Sequence, residues 1–260
     1  MPFSLPSKAT IVALSLVPVV APAVYLVAIQ AITSRSIGAA ATQRRVLTKK
    51  DKEAVTAEAS SPPSTTVADA VPPHSIPDEV FGDNAPYVVY CERVVSRPIP
   101  VKKLAVDADT DLLLTTYLRG TMGAFSWTPM GLIMRSFITD PALRATFDAD
   151  HIAGLAFAKG DIACGPHLVT YRSSHRAEMM TQRLEDKPDL VVHAVIVAAV
   201  ERVDDNVFFV NETWFWRHAQ DEQPSMLESA AGRWLHNLVG SWMIFKGTSK
   251  VTTPVKAKAE

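Results

Sequence analysis

The hydrophobic pattern is sharpest between residues 206 and 247, where a period of two gives way to a period near 3.6. Val207 to Trp216 is dense in aromatic and β-branched residues, which suit a pleated strand. Alternation puts Phe208, Val210, Glu212, Trp214 and Trp216 on one face and Phe209, Asn211, Thr213 and Phe215 on the other. Ser225 and Glu228 then form a capping box. Behind it, Leu227, Ala231, Trp234, Leu238, Trp242 and Phe245 recur at steps of three and four. Lys246 and Gly247 are expected to close this helix as last-turn cation and C-cap. So apolar a stripe must lie against a sheet, and the Glu212 face of the strand is its expected partner.

Upstream, Tyr87 to Val95 and Val101 to Val106 read as strands. A helix is expected from Asp109 or Thr110 to Phe125, with restarts at Thr128-Pro129 and Asp140-Pro141. Strands resume at Asp161 to Arg172, Arg176 to Gln182 and Leu190 to Val203, and Asp204-Asp205-Asn206 turns the last two strands into a hairpin. Helices and strands are segregated along the chain, which predicts an α+β fold: a curved antiparallel sheet packed on a long C-terminal helix. The globular part is expected over 85–250, with a disordered tail over 251–260.

Thr10 to Ser34 carries no charge and exceeds the roughly 20 apolar residues that cross a bilayer as a helix. Residues 1–35 are therefore expected to be an uncleaved transmembrane anchor. A cleaved signal peptide competes, but the apolar run is longer than an ordinary signal core. Lys8 stands alone before the run, whereas Arg35, Arg44, Arg45, Lys49, Lys50 and Lys52 follow it. The positive-inside rule then predicts a single-pass protein of the endoplasmic reticulum with its C-terminal domain cytosolic. Residues 36–84, rich in Ala, Ser, Thr and Pro, read as a disordered linker.

The formal net charge of −1 over 260 residues argues against a nucleic-acid partner. Cys91 and Cys164 are too few for a zinc cage; one disulfide is conceivable, but apolar surroundings favour two buried thiols. The histidines lie at no standard metal spacing, and no nucleotide fingerprint or nucleophile elbow occurs. Neither a metal nor a cofactor is expected.

The element order resembles the helix-grip fold of the START and polyketide-cyclase superfamily, in which a curved sheet wraps a long last helix over an apolar cavity. Tyr117 to Met122, Phe125 to Pro129, Gly160 to Gly165, Val210 to Thr213 and Leu227 to His236 resemble stretches of uncharacterised fungal proteins with one N-terminal membrane span. Some of those sit among natural-product biosynthetic genes. The resemblance implies specialised metabolism, with a lipophilic small molecule, the membrane and other pathway enzymes as partners.

Glu212 is the first candidate catalytic residue, since a carboxylate entering an aromatic cavity becomes a general acid or base through desolvation. The alternative is an ion pair with an arginine, Arg172 or Arg233 being candidates, or a carboxylate that faces solvent. His167 is the second, sharing a strand face with Val169 and Tyr171. Trp127, Tyr171, Trp214 and Trp216 are candidate ligand-binding residues. Asn211 opens the sequon Asn211-Glu212-Thr213, an acceptor only if the domain is lumenal. His236 falls off the helix stripe and is expected at the surface. Two functions follow: a membrane-anchored, cofactor-independent cyclase, isomerase or dehydratase, or a non-catalytic lipophile-binding or scaffold protein.

Overall fold

The computed structural model describes residues 24–57, 70–82, 85–105, 109–183 and 192–252. The strands are β1 (Ile37–Arg45), β2 (Tyr87–Ser96), β3 (Ile99–Pro100), β4 (Ile162–Ala163), β5 (His167–Arg172), β6 (Arg176–Thr181), β7 (Ala194–Val203) and β8 (Asn206–His218). The helices are α1 (24–33), α2 (Lys49–Ala57), α3 (Thr110–Phe125), α4 (Pro129–Phe137), α5 (Pro141–Ala145), α6 (Ala149–Gly154) and α7 (Ala230–Val251). Together they form an α+β fold around one antiparallel sheet, ordered β1-β2-β8-β7-β6-β5-β4, with β3 also paired to β8. Strand β2 thus lies beside the last strand, and the strands from β4 to β8 follow as a meander. The β7–β8 hairpin turns at Asp204, whose φ of 52° is one that Asp and Asn adopt more readily than bulkier residues.

The two faces of the sheet are covered differently. On the inner face lie α3 and α7. Their core includes Leu113, Tyr117, Met122, Phe209, Met243 and Ile244. On the outer face Val89, Cys91, Trp214 and Trp216 pack against Leu47 and a strap over 70–82 that supplies Ala70, Ile76 and Val80. Both cysteines are free and buried.

Several expectations are corrected here. Among the described residues no helix is long and apolar enough to cross a membrane. Of the run Thr10 to Ser34, residues 10–23 lie outside the described part. Residues 24–33 form α1, ten residues and so roughly 15 Å long, half of a bilayer core. The chain leaves α1 through a turn at 34–36 and enters β1, so the single-pass anchor and the localisation built on it are not supported.

The disordered linker over 36–84 is corrected as well. Its first part is β1, paired with β2 from Ile37 to Arg45; α2 follows, and the strap closes the outer core. A few apolar residues suffice because the sheet supplies large partners to this core, Trp214 and Trp216 among them.

The last helix is set differently from its stripe. Met226–Glu228 is a separate 3₁₀ turn held by the Ser225–Glu228 box, and α7 restarts at the Ser229 cap, whose Oγ accepts from Gly232 N at 2.9 Å. The helix runs through Gly247 to Val251 and is not capped there. Its buried residues are Leu238, Gly240, Ser241, Met243, Ile244, Gly247, Thr248 and Val251, so of the stripe on this helix only Leu238 is buried, and Trp234 is 46 % exposed. Likewise Val101 to Val106 is not a strand: Val101–Lys103 is a 3₁₀ turn. Val251 and Thr252 are ordered against Ala105 and Leu104, so only 253–260 of the expected tail lies outside the described residues.

Candidate active site

Sheet register decides which side chains meet the helices. Glu92 on β2 pairs opposite Thr213 on β8, on the inner face, and Arg93 pairs opposite Glu212, on the outer face. Between the inner face, α3, α4 and α7 lies a cavity of about 1150 Å³. Its walls are mostly apolar, with Phe125, Met130, Ile133, Ile196, Val239 and Trp242 among them. Tyr25, Leu26 and Ile29 of α1 also reach it. Behind it an inner pocket of about 50 Å³ is bordered by Glu92, Asn211, Thr213, His167 and His236. The last three border both spaces, so polar groups converge at one end of an apolar chamber.

The pair at that end is Glu92 and His236. Glu92 Oε1 lies 2.6 Å from His236 Nδ1, and Thr42 Oγ1 donates to the other carboxylate oxygen at 3.4 Å. Asn237 Nδ2 donates to Thr42 Oγ1 at 3.1 Å, extending the network. The Glu92 side chain is 2 % exposed and that of His236 21 %. Gly240 makes this approach of strand and helix feasible: a Cβ there would stand 3.2 Å from Val94 Cγ2 and 3.5 Å from Glu92 Oε1. In the tautomer whose Nδ1–H donates to the carboxylate, Nε2 is the acceptor. A carboxylate behind an imidazole fixes its tautomer and orientation, as in catalytic triads.

Asn211 adds a donor. Tyr117 Oη donates to its Oδ1 at 2.8 Å, while its buried Nδ2 has no hydrogen-bond partner among the described residues. A buried amide donor bordering a pocket is an oxyanion-hole component in waiting, because an unmade bond costs more than a made one returns. Buried and bonded in this way, Asn211 is not presented as a glycosylation acceptor.

His167 does border the cavity. Burial holds its imidazole below the ordinary value, opposed by contacts with the Cys164 and Ala163 carbonyls, so it is neutral. Its Nδ1 lies 3.1 Å from Cys164 O, and its ring stands edge-on to Phe125. Tyr171 is not its partner. A bulge between Val169 and Tyr171 shifts the parity, and Tyr171 stacks on His74 of the strap with centroids 4.1 Å apart.

Glu212 is corrected from catalytic candidate to structural ion pair. It lies on the outer face, where Arg93 Nη1 donates to its Oε1 and Trp214 Nε1 donates to its Oε2 at 2.9 Å. Arg93 also bonds Glu201 Oε1 at 2.7 Å; Arg172 binds Asp111 instead, and Arg233 caps backbone carbonyls. Trp214 and Trp216 belong to the outer core and line neither of these two spaces. Trp127 does reach it, 78 % exposed at the mouth. Neither thiol is a nucleophile: burial pushes Cys164 up to about 12 and Cys91 well above its ordinary value.

Pattern reasoning missed Glu92 and His236. The available signal was Glu92 alternating with Val88, Tyr90 and Val94 in a strand with an apolar inner face, which obliges a buried carboxylate to find a partner. No protein-family model, no curated protein and no solved structure matches the chain.

Proposed function

We propose that the chain is a cofactor-independent acid–base enzyme, of isomerase, cyclase or dehydratase type, that acts on a lipophilic carbonyl compound. The observation that carries this reading is the Glu92–His236 pair, 2.6 Å apart, at the polar end of an apolar chamber of about 1150 Å³. His236 Nε2 takes a proton from the carbon next to the substrate carbonyl. The C–H electron pair becomes an enolate, and the charge on its oxygen is met by Asn211 Nδ2–H. Returning the same proton to a different carbon completes an isomerisation. Delivering it to a departing β-hydroxyl group completes a dehydration, with water as the second product. Glu92 holds the ring through Nδ1 and stabilises the imidazolium between the two transfers.

The size and apolar lining of the chamber favour a second reading, a lipophile-binding protein without chemistry. One experiment separates the two. The purified full chain is incubated in D₂O with a lipophilic β,γ-unsaturated ketone, and deuterium entry at the α-carbon is followed by NMR. The expected result is enzyme-dependent exchange that falls about 100-fold or more in His236→Gln, the range of general-base catalysis. Retained binding of an apolar fluorescent probe shows that the variant is folded. Exchange that is equal in wild type and variant overturns the catalytic reading, and probe binding without any exchange leaves the second reading standing.

A further inference from the structure

Three cations border the same chamber at its far end: Arg119 of α3 and Lys246 and Lys250 of α7. They converge because α3 and α7 touch there through glycine. A Cβ on Gly120 would stand 2.9 Å from Lys250 Cγ, 3.1 Å from Gly247 Cα and 3.3 Å from Lys246 O. Lys246 and Lys250 are one turn apart on α7, and Arg119 adjoins Gly120. Arg119 donates to Leu155 O at 3.0 Å, and Lys246 sits 5.1 Å above the Trp242 ring. None of the three has a carboxylate partner among the described residues, and no Asp or Glu is among the residues lining this chamber. Like charges gathered on an apolar cleft repel one another and focus a positive potential into it. An anion relieves both.

The two ends are separated along α7. From His236 to Lys246 and Lys250 is ten to fourteen residues, so roughly 15–21 Å at the helical rise. Leu235, Val239, Trp242 and Lys246 form one stripe of lining between them. Resting on the site reading above, we infer that the ligand is an anionic amphiphile: an extended apolar body whose reactive carbonyl meets His236 and whose carboxylate or phosphate head is held by Arg119, Lys246 and Lys250.

The test is competitive displacement of an apolar fluorescent probe from the full chain by dodecanoate, dodecyl phosphate and methyl dodecanoate. The expected result is that at least one anion displaces the probe about tenfold more tightly than the ester, a difference of about 1.4 kcal/mol. The better of the two anions identifies the head group. The preference should shrink to within about twofold in a Lys246→Gln/Lys250→Gln variant and at high salt, with ester displacement unchanged. An ester that competes as well as both anions overturns the anionic head while leaving lipophile binding intact. An anion preference that survives in the double variant overturns the assignment to these lysines. Failure of all three compounds and the probe to bind defeats the underlying cavity reading itself.

Discussion

Glu92 and Glu212 lie on adjoining strands, and their fates are opposite because the pleat turns them to opposite faces of the sheet. Alternation along 207–216 sorts the side chains into two sets correctly. Both sets are aromatic, however, so the pattern cannot tell which one meets the helix. Only pairing resolves this, and pairing is long-range: Glu212 meets Arg93, far away in the chain. Glu212→Gln therefore belongs to stability. It removes one of the carboxylates that bind Arg93, which Glu201 also binds, in a buried setting where losing one member of an ion pair costs about 3–5 kcal/mol. Chemical denaturation should show a loss at or below the lower end of that range, while probe affinity in the cavity stays within about twofold because no cavity-lining residue is altered. Lost probe binding in a folded variant would put Glu212 back into the site.

At the scale of elements, α7 was legible as a long amphipathic helix, but its buried side was not. Hydrophobic stripes are counted by large side chains, whereas this helix approaches α3 and the sheet through Gly240, Ser241, Gly247 and Thr248. Close packing of these small residues leaves Trp234 and Leu235 toward the mouth or solvent. The aromatic truncation that the stripe would make severe is accordingly mild: Trp234→Ala should cost about 1 kcal/mol or less, not the loss of a buried aromatic. Gly247 is the sensitive position. A Cβ there would fall 2.5 Å from both Thr121 Oγ1 and Tyr117 Cε2. Gly247→Ala should lower unfolding free energy by about 1–3 kcal/mol, as overpacking does. Tyr117 also holds Asn211, so deuterium exchange in the substrate assay should fall as well. Equal melting curves for Gly247→Ala and wild type would refute this account of the α3–α7 crossing.

Across the whole molecule, the sheet is a wall between a chamber and a strap, and the strap was the part least visible in the sequence. Residues 70–82 are proline-rich and short of apolar side chains, the composition of a linker, yet they are held by polar bonds that composition does not register. Glu178, fully buried on β6, accepts from His74 N at 3.1 Å, Ser75 N at 2.9 Å and Ser75 Oγ at 2.7 Å. Arg176 Nε donates to it at 3.0 Å. Burial alone pushes this carboxyl up; His74, Arg176 and Ser75 outweigh burial and hold it below its ordinary 4.5. Because the folded value is depressed, its contribution is complete above 4.5 and is lost as pH falls through the folded value. The strap should therefore loosen at acid pH before the inner face does. Hydrogen exchange, corrected for intrinsic rates, should accelerate at the His74 and Ser75 amides below 4.5, while amides of α3 and α7 remain protected. In Glu178→Gln the same two amides should exchange faster already at neutral pH, with little further response to acid. If strap and inner face instead lose protection together at every pH, the carboxylate is not the latch, and the strap is held by its other contacts, the packing of Ile76 and Val80 in the outer core among them.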